Sequence, residues 1–178
     1  MIELHSTSTE QTRAIAAAIA RLARPGDLVV LVGEMGAGKT AFAQGFAKAL
    51  GIHEPVTSPT YTLVHTHQAG STTLHHADLY RLEHTAEVED LALAELLDDR
   101  SIMLVEWGDV VDLGPHLRVE LRVSDSAEGD DDADDADDDA VAEEPLAQES
   151  GRQVVISSSD RRWASRWERL EAALQEWT

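Results

Sequence analysis

The feature of this sequence that most constrains its fold is the octapeptide Gly-Glu-Met-Gly-Ala-Gly-Lys-Thr at residues 33–40. It matches the pattern G-x-x-x-x-G-K-[ST] at every defined position. The aliphatic run Leu28–Val32 precedes it directly, and the Ala-rich segment 39–50 follows it. An entirely apolar strand is typical of a sheet that is covered on both faces. The order strand, glycine-rich loop and helix therefore predicts an α/β domain with a phosphate-binding loop.

Each residue type in this loop has a physical role. Gly33, Gly36 and Gly38 permit backbone conformations that turn successive N–H groups inward, towards phosphate oxygens. The helix that begins near Lys39 points the positive end of its dipole at the same place. We expect Lys39 to reach the β- and γ-phosphates and the Thr40 hydroxyl to bind Mg²⁺. The other loop residues that we expect around the phosphates are Glu34, Met35 and Ala37.

A site of this kind also needs a carboxylate near the metal, at the end of a neighbouring strand. Glu106 follows the aliphatic run 102–105, and Asp78 lies at the end of the second strand of a predicted hairpin, 61–67 and 72–80. We therefore predict Glu106 and Asp78 as site carboxylates. For each, the alternative is a solvated acid at a strand end.

The predicted hairpin carries four histidines, His65, His67, His75 and His76. A zinc site would need three or four of them to converge. Adjacent residues of a strand point to opposite faces, so His75 and His76 cannot share one metal easily. We expect half-exposed hairpin histidines instead.

The rest of the pattern completes a three-layer α/β fold of the P-loop NTPase type, with a mixed, mostly parallel sheet and flanking helices. Hydrophobic periodicity predicts strands at 2–4, 117–123 and 154–156, and helices at 10–23 and 86–97. The segment 160–177 is predicted as one amphipathic helix that packs against the sheet. Its apolar face consists of Trp163, Trp167, Leu170, Leu174 and Trp177.

The charge of the chain is concentrated in one segment. The formal net charge is −20, but residues 125–149 hold 13 of the 34 acidic residues and no Lys or Arg. The remainder has 21 acidic against 14 basic residues. A block of like charges repels itself and stays solvated. We predict a single domain over 1–178 with a disordered acidic insertion at 125–149. The spacing of residues in this segment does not place a glycine and a closing glutamate where a dedicated calcium loop needs them.

Other classes of protein are disfavoured. The chain has no cysteine, which excludes disulfides and thiolate metal sites. No basic segment followed by an apolar run begins the sequence, and no uncharged apolar stretch reaches about 18 residues. We therefore expect a cytoplasmic protein with no membrane segment.

Four blocks in order resemble the TsaE family, the small ATPases of bacterial tRNA threonylcarbamoyladenosine synthesis. They are GEMGAGKT at 33–40, TSPTYTLVH at 57–65, HADLYRL at 76–82 and LVEWGD at 104–109. The blocks are distributed in order along most of the chain apart from the acidic segment and the C-terminal helix. Each block alone is modest evidence, whereas the ordered set is specific.

The resemblance implies a P-loop ATPase that binds ATP or ADP with Mg²⁺ and works with TsaB and TsaD, contacting tRNA only through them. It implies that Thr40 and Glu106 hold the metal and that Asp78 orients the metal or the attacking water. It places Thr60 in a switch-like loop. It also marks Trp107 as functionally sensitive and implies a place for it at the partner surface. Two further positions near the nucleoside, carried over by position alone, are Thr9 and Gly151.

Two other functions fit the same loop. A small-molecule kinase would need an arginine-bearing lid, yet only Lys48, Arg81 and Arg100 are basic between Lys39 and Arg118. A non-catalytic nucleotide-sensing module is the second alternative, because no residue obviously supplies an arginine finger. The chain has no Asn and so lacks the Asn-Lys-x-Asp signature of guanine recognition, which favours ATP.

Overall fold

The computed structural model describes residues 1–59, 62–82, 92–124 and 151–178. Two 3₁₀ turns occur in these ranges, Gly108–Val110 and Gln175–Trp177. The strands are β1 (Ile2–Ser6), β2 (Leu28–Val32), β3 (Val64–Ala69), β4 (Thr72–Asp78), β5 (Ser101–Glu106), β6 (Leu117–Val123) and β7 (Arg152–Ser158). The helices are α1 (Thr9–Ala20), α2 (Lys39–Ala49), α3 (Leu93–Leu96), α4 (Arg161–Ala164) and α5 (Trp167–Leu174).

The strands form one sheet in the order β1-β7-β6-β2-β5-β4-β3. The four central strands β6, β2, β5 and β4 are parallel, and β3, β7 and β1 each pair antiparallel with a neighbour. The predicted mixed sheet is confirmed. Because the carboxyl ends of parallel strands meet at one edge, the segments that follow β2, β4 and β5 lie together.

The sheet is covered on both faces, which explains the apolar sequence of β2. Val29 and Leu31 belong to a core cluster shared with α1, α2 and α5. Leu28, Val30 and Val32 belong to a second cluster with α3 and the segment 107–113. Alternate residues of one strand thus enter two cores, and the predicted three-layer arrangement follows.

Helix α2 is held against α1 by an unusually close approach at Gly45. A Cβ atom at this position would lie 2.4 Å from the carbonyl oxygen of Arg13. Only glycine permits this contact. It fixes the direction of α2, and therefore the position of the loop that precedes it.

The C-terminal segment forms two helices, α4 and α5, so the prediction of one continuous helix over 160–177 is wrong. The helices are separated at Ser165 and Arg166. Arg166 is buried there and donates to both oxygens of Asp27, at 2.7 and 2.9 Å, and to the carbonyl of Leu22 at 2.7 Å. This long-range contact anchors the chain at the break. The expected packing against the sheet is confirmed, since Trp163, Leu170 and Leu174 are buried in the core cluster that contains Leu4 of β1 and Val154 of β7.

Three predictions lie partly or wholly outside the described residues. They concern Thr60, the first part of the helix at 86–97, and the acidic segment 125–149. The described end of 86–97 contains α3, in agreement with a helix there. Within the described ranges, no helix has the length and apolarity needed to cross a membrane.

Candidate nucleotide-binding site

The loop 33–38 has the backbone geometry predicted from its glycines. Gly33, Gly36 and Gly38 all have positive φ angles, of 142°, 80° and 105°. A Cβ atom at Gly33 would lie 2.1 Å from the carbonyl oxygen of Leu121, so a side chain is also excluded by space. The N-cap residue of α2 is Gly38, which has no side chain that could accept a hydrogen bond from the first N–H groups of the helix. The first N–H groups of α2 therefore remain available to an anion.

Lys39, the first residue of α2, lies inside this loop. Its Nζ donates to the carbonyl oxygens of Gly33 and Glu34, at 2.6 and 2.7 Å. The same nitrogen lies 3.7 Å from the centroid of the Trp107 ring. Burial lowers the pKa of Lys39 below its ordinary value of 10.5, although Glu106 and Asp78 oppose the shift by attraction. The cation is thus held by neutral partners that phosphate oxygens can replace.

Glu106, at the end of β5, connects two sides of the site. Its Oε2 accepts a hydrogen bond from the Thr40 hydroxyl at 3.1 Å, and its Oε1 lies 2.8 Å from Nε2 of His76. Both Glu106 and His76 are buried. A hydroxyl and a carboxylate are the hard oxygen donors that Mg²⁺ prefers. Thr40 and Glu106 could therefore hold Mg²⁺, as the sequence predicts.

The expectation of half-exposed hairpin histidines is wrong for His67, His75 and His76, which are 7%, 8% and 0% exposed. Strand β4 lies inside the sheet, between β3 and β5, and its residues 74–78 are all buried. His67 is covered at the edge strand, where its Nδ1 lies 2.5 Å from Oε1 of Glu54. A hairpin pattern alone does not reveal that its second strand is central.

Asp78 also lies at the site, opposite Glu106 in the β4–β5 register. Its Oδ1 accepts a hydrogen bond from the backbone N–H of Tyr80 at 2.9 Å, and its Oδ2 is hydrogen-bonded to the Ser58 hydroxyl. Asp78 thereby connects the end of β4 to the loop 57–59. The position is the one predicted, and the contact with Ser58 is not evident in the sequence.

These residues surround one cleft of about 360 Å³. Trp107, which follows β5, has its ring centroid 5.0 Å from that of Tyr80. Together they form an aromatic wall beside Lys39. The lining residues are Met35, Gly36, Gly38, Lys39, Thr40, Ala41, Ser58, Asp78, Tyr80, Glu106 and Trp107. The structure therefore brings the predicted Lys39, Thr40, Asp78, Glu106 and Trp107 together.

Thr9 and Gly151 do not line this cleft. Thr9 is the first residue of α1, and Gly151 directly precedes β7. Both lie near the strand pair β1–β7, at one side of the loop 33–38. The next residue, Arg152, reaches the loop: its Nε would lie 3.3 Å from a Cβ atom at Gly38. Arg152 is not among the site residues predicted from the sequence. Arg152 and Val154 are two residues apart on β7, so their side chains lie on the same face of the strand, the one that packs against α2. This spacing is the feature of the sequence that could have indicated Arg152.

Comparisons with known proteins identify the family of this chain. Residues 6–132 match the family model described as threonylcarbamoyl adenosine biosynthesis protein TsaE. The chain is 41% identical over 111 residues to the Bacillus subtilis tRNA threonylcarbamoyladenosine biosynthesis protein TsaE, covering 62% of this chain and 69% of that protein. The Streptomyces coelicolor protein of the same name is 42% identical over 118 residues, covering 62% and 79%.

The fold agrees with a solved structure of similar size. The crystal structure of Bacillus subtilis YdiB superposes with a TM-score of 0.71 and 27% sequence identity, over 96% of this chain and 94% of that chain. The family model includes the glycine-rich loop, the hairpin and the strand that ends at Glu106. This chain belongs to the TsaE family of threonylcarbamoyl adenosine biosynthesis proteins.

Proposed function

We propose that this protein binds and hydrolyses ATP with Mg²⁺, and that with TsaB and TsaD it supports formation of the threonylcarbamoyl group on the adenosine next to the anticodon of tRNAs. Family membership supports the role in tRNA modification, since relatives carry that function in their names. The observation that carries the nucleotide assignment is the convergence of Lys39, Thr40 and Glu106 on one cleft.

Lys39 has a defined role in this proposal. It occupies the loop interior, where the carbonyl oxygens of Gly33 and Glu34 accept its hydrogen bonds. A phosphate tail offers charged acceptors in place of these neutral ones, and hydrogen bonds to charged groups are stronger. The backbone N–H groups of the loop and of the first turn of α2 supply further donors. Lys39 is therefore the main side-chain cation for the terminal phosphates.

Thr40 and Glu106 are the proposed metal ligands. Their oxygens already lie 3.1 Å apart, and both residues line the cleft. Mg²⁺, when bound, neutralises charge on the phosphate oxygens and favours loss of the γ-phosphoryl group. Asp78 is proposed to orient the metal or the attacking water, from the end of the adjacent strand. Thr60 is proposed as a member of the switch-like loop.

Hydrolysis by this protein alone is expected to be slow. Among the described residues that line the cleft there is no arginine, and Lys39 is the one cation. An arginine finger is worth about 10³–10⁵-fold in rate in other P-loop enzymes. We propose that the TsaB and TsaD partners raise the rate by completing or ordering the site. Trp107 and Tyr80 lie at the cleft, so a partner at this surface would reach them.

The test is a reconstitution with purified TsaB and TsaD, tRNA, ATP and the threonylcarbamoyl donor. We expect the wild-type protein to release inorganic phosphate and to support modification, and Lys39→Ala to lose both. Lys48→Ala, on the same helix, is the matched control and is expected to retain both. Modification that proceeds unchanged with Lys39→Ala would contradict the proposal. Phosphate transfer to a small acceptor, without release of inorganic phosphate, would indicate a kinase instead.

A further inference from the structure

We propose that His76 is a positioning residue for the metal site: it holds one oxygen of Glu106, so that the other faces Thr40 and Mg²⁺. This inference rests on the proposed nucleotide function and adds to it a residue that does not line the cleft. It follows from the way in which the two oxygens of Glu106 are divided between different partners.

The geometry of β4 and β5 brings the two side chains together. In the parallel register, His76 lies opposite Leu104 and Asp78 lies opposite Glu106. His76, Asp78 and Glu106 therefore share the sheet face that packs against α2, with Glu106 diagonal to His76. The distance between Nε2 of His76 and Oε1 of Glu106 is 2.8 Å. His76 is 0% exposed and Glu106 is 2% exposed, so water competes little for this hydrogen bond.

The hydrogen bond restricts the orientation of the Glu106 carboxylate. A glutamate has three rotatable side-chain bonds, and its terminal torsion has no sharp preference. With Oε1 fixed by His76, Oε2 is directed to the Thr40 hydroxyl at 3.1 Å. Partners that fix a metal ligand commonly change metal affinity or activity by about 10–100-fold when they are removed. His76 is in a position to exert such an effect on Glu106.

An apolar residue would suit this buried position better if the role were only structural. The other ring nitrogen of His76, Nδ1, is buried and has no hydrogen-bond partner among the described residues. An imidazole with an unpaired nitrogen in a core costs free energy that a leucine would not. The neighbouring His75, on the opposite face, has its Nδ1 3.0 Å from the Thr66 hydroxyl. The presence of a histidine at this buried position is therefore explained by its hydrogen bond with Glu106.

The experiment measures Mg²⁺ affinity directly, by calorimetric titration of Mg²⁺ into the protein saturated with ADP. The variants are His76→Leu, His76→Gln and His76→Asn. A glutamine amide reaches about as far as Nε2 of histidine and can donate to Glu106, whereas an asparagine amide reaches only as far as Nδ1. We expect Mg²⁺ affinity to fall about tenfold or more in the Leu and Asn variants and to be largely restored by Gln. ADP affinity in EDTA is expected to stay unchanged in all three.

A double-mutant cycle with Glu106→Gln separates positioning from a general structural effect. If His76 acts through Glu106, then His76→Leu has no further effect on Mg²⁺ affinity in the Glu106→Gln background. His75→Leu is the matched control, at similar burial on the same strand, and is expected to bind Mg²⁺ like the wild type. Far-UV circular dichroism identifies variants that fold. Should His76→Leu not fold, the comparison of His76→Asn with His76→Gln decides the question.

Two results would overturn the inference while leaving the proposed function intact. One is wild-type Mg²⁺ affinity in both His76→Leu and His76→Asn. The other is an equal loss of affinity with and without Glu106→Gln. A wild-type protein that takes up neither ADP nor Mg²⁺·ADP would overturn the proposed function and this inference together.

Discussion

The Thr40 hydroxyl donates a hydrogen bond of 3.1 Å to Oε2 of Glu106, across 66 positions of sequence. Thr40 is fixed by α2, and Glu106 is fixed by β5 and by the His76 hydrogen bond. The contact places a hydroxyl and a carboxylate side by side at the edge where the parallel strands end. Both proposals about this protein depend on that relationship, and it determines which substitutions are informative.

Removal of the Glu106 carboxylate is expected to separate nucleotide binding from hydrolysis. Glu106→Ala leaves the loop 33–38 and Lys39 in place, so ADP affinity in EDTA should be retained. Mg²⁺-dependent phosphate release in the reconstituted complex is expected to fall about 100-fold or more, because charge stabilisation in the transition state is lost. Glu120→Ala, on β6 and away from the cleft, is the control. Unchanged ATPase activity of Glu106→Ala would show that the metal assignment is wrong.

The buried position of Lys39 predicts proton uptake on nucleotide binding. Burial lowers the pKa of Lys39 in the free protein. The negative charge of bound phosphates favours the protonated form and raises that pKa in the complex. In the pH window between these two values, binding takes up a proton, and affinity falls as pH rises. Calorimetry in buffers of different ionisation enthalpy measures this uptake.

The control for proton uptake uses the small number of lysines in the chain. Lys39 and Lys48 are the only two, and Lys48 lies in the last turn of α2. At pH values above the pKa of Lys39 in the free protein, proton uptake on nucleotide binding should persist in the Lys48→Gln variant. If it disappears in that variant, or if affinity does not change with pH in this window, the assigned role of Lys39 in phosphate binding is contradicted.

The ion pair between Arg166 and Asp27 is expected to contribute strongly to stability. Their side chains are 3% and 1% exposed, and the contact joins the C-terminal helices to the segment before β2. Arg166→Met leaves the Asp27 carboxylate buried without its cation, which costs about 3–5 kcal/mol in comparable cases. Urea unfolding measures the difference. Arg169→Met, at an exposed position of α5, is the control; a similar small loss in both variants would contradict the prediction.

The segment 125–150 is expected to be dispensable for nucleotide binding. Its ends are already joined: the backbone N–H of Ser124 donates to the carbonyl of Gly151 at 2.9 Å, and Val123 pairs with Arg152. Replacement of these residues by a four-residue turn should preserve ADP affinity. Shortening the connection from 26 residues to four lowers the entropy cost of loop closure, so stability should rise by about 1–2 kcal/mol. Equilibrium unfolding and ADP titration test both points, and loss of folding or of ADP affinity would refute them.

Much of the fold is predictable because it is encoded locally. The apolar run Leu28–Val32 and the glycines that follow it specify a buried strand and a phosphate-binding turn without reference to distant residues. The same holds for β6, whose bounds match the alternation of apolar and polar residues. Glu106 is predictable as a site residue because it directly follows an aliphatic run.

The features that the sequence does not reveal depend on pairings between distant segments. Burial of His76 depends on β4 pairing with β5 as well as with β3. The break between α4 and α5 coincides with the contact of Arg166 with Asp27, 139 positions away. Arg152 approaches Gly38 because β7 returns beside β6. Each of these contacts depends on which distant segments pair, and local patterns do not specify that.

Calorimetric titration of the folded protein with ADP and ATP in the presence of Mg²⁺, compared with Lys39→Met, tests directly whether the loop 33–40 binds phosphate. We expect saturable binding by the wild-type protein at one site and its loss in the variant, because the loop 33–40 and Lys39 form the proposed phosphate site. Absence of binding by the wild-type protein, or equal binding by Lys39→Met, would contradict this expectation.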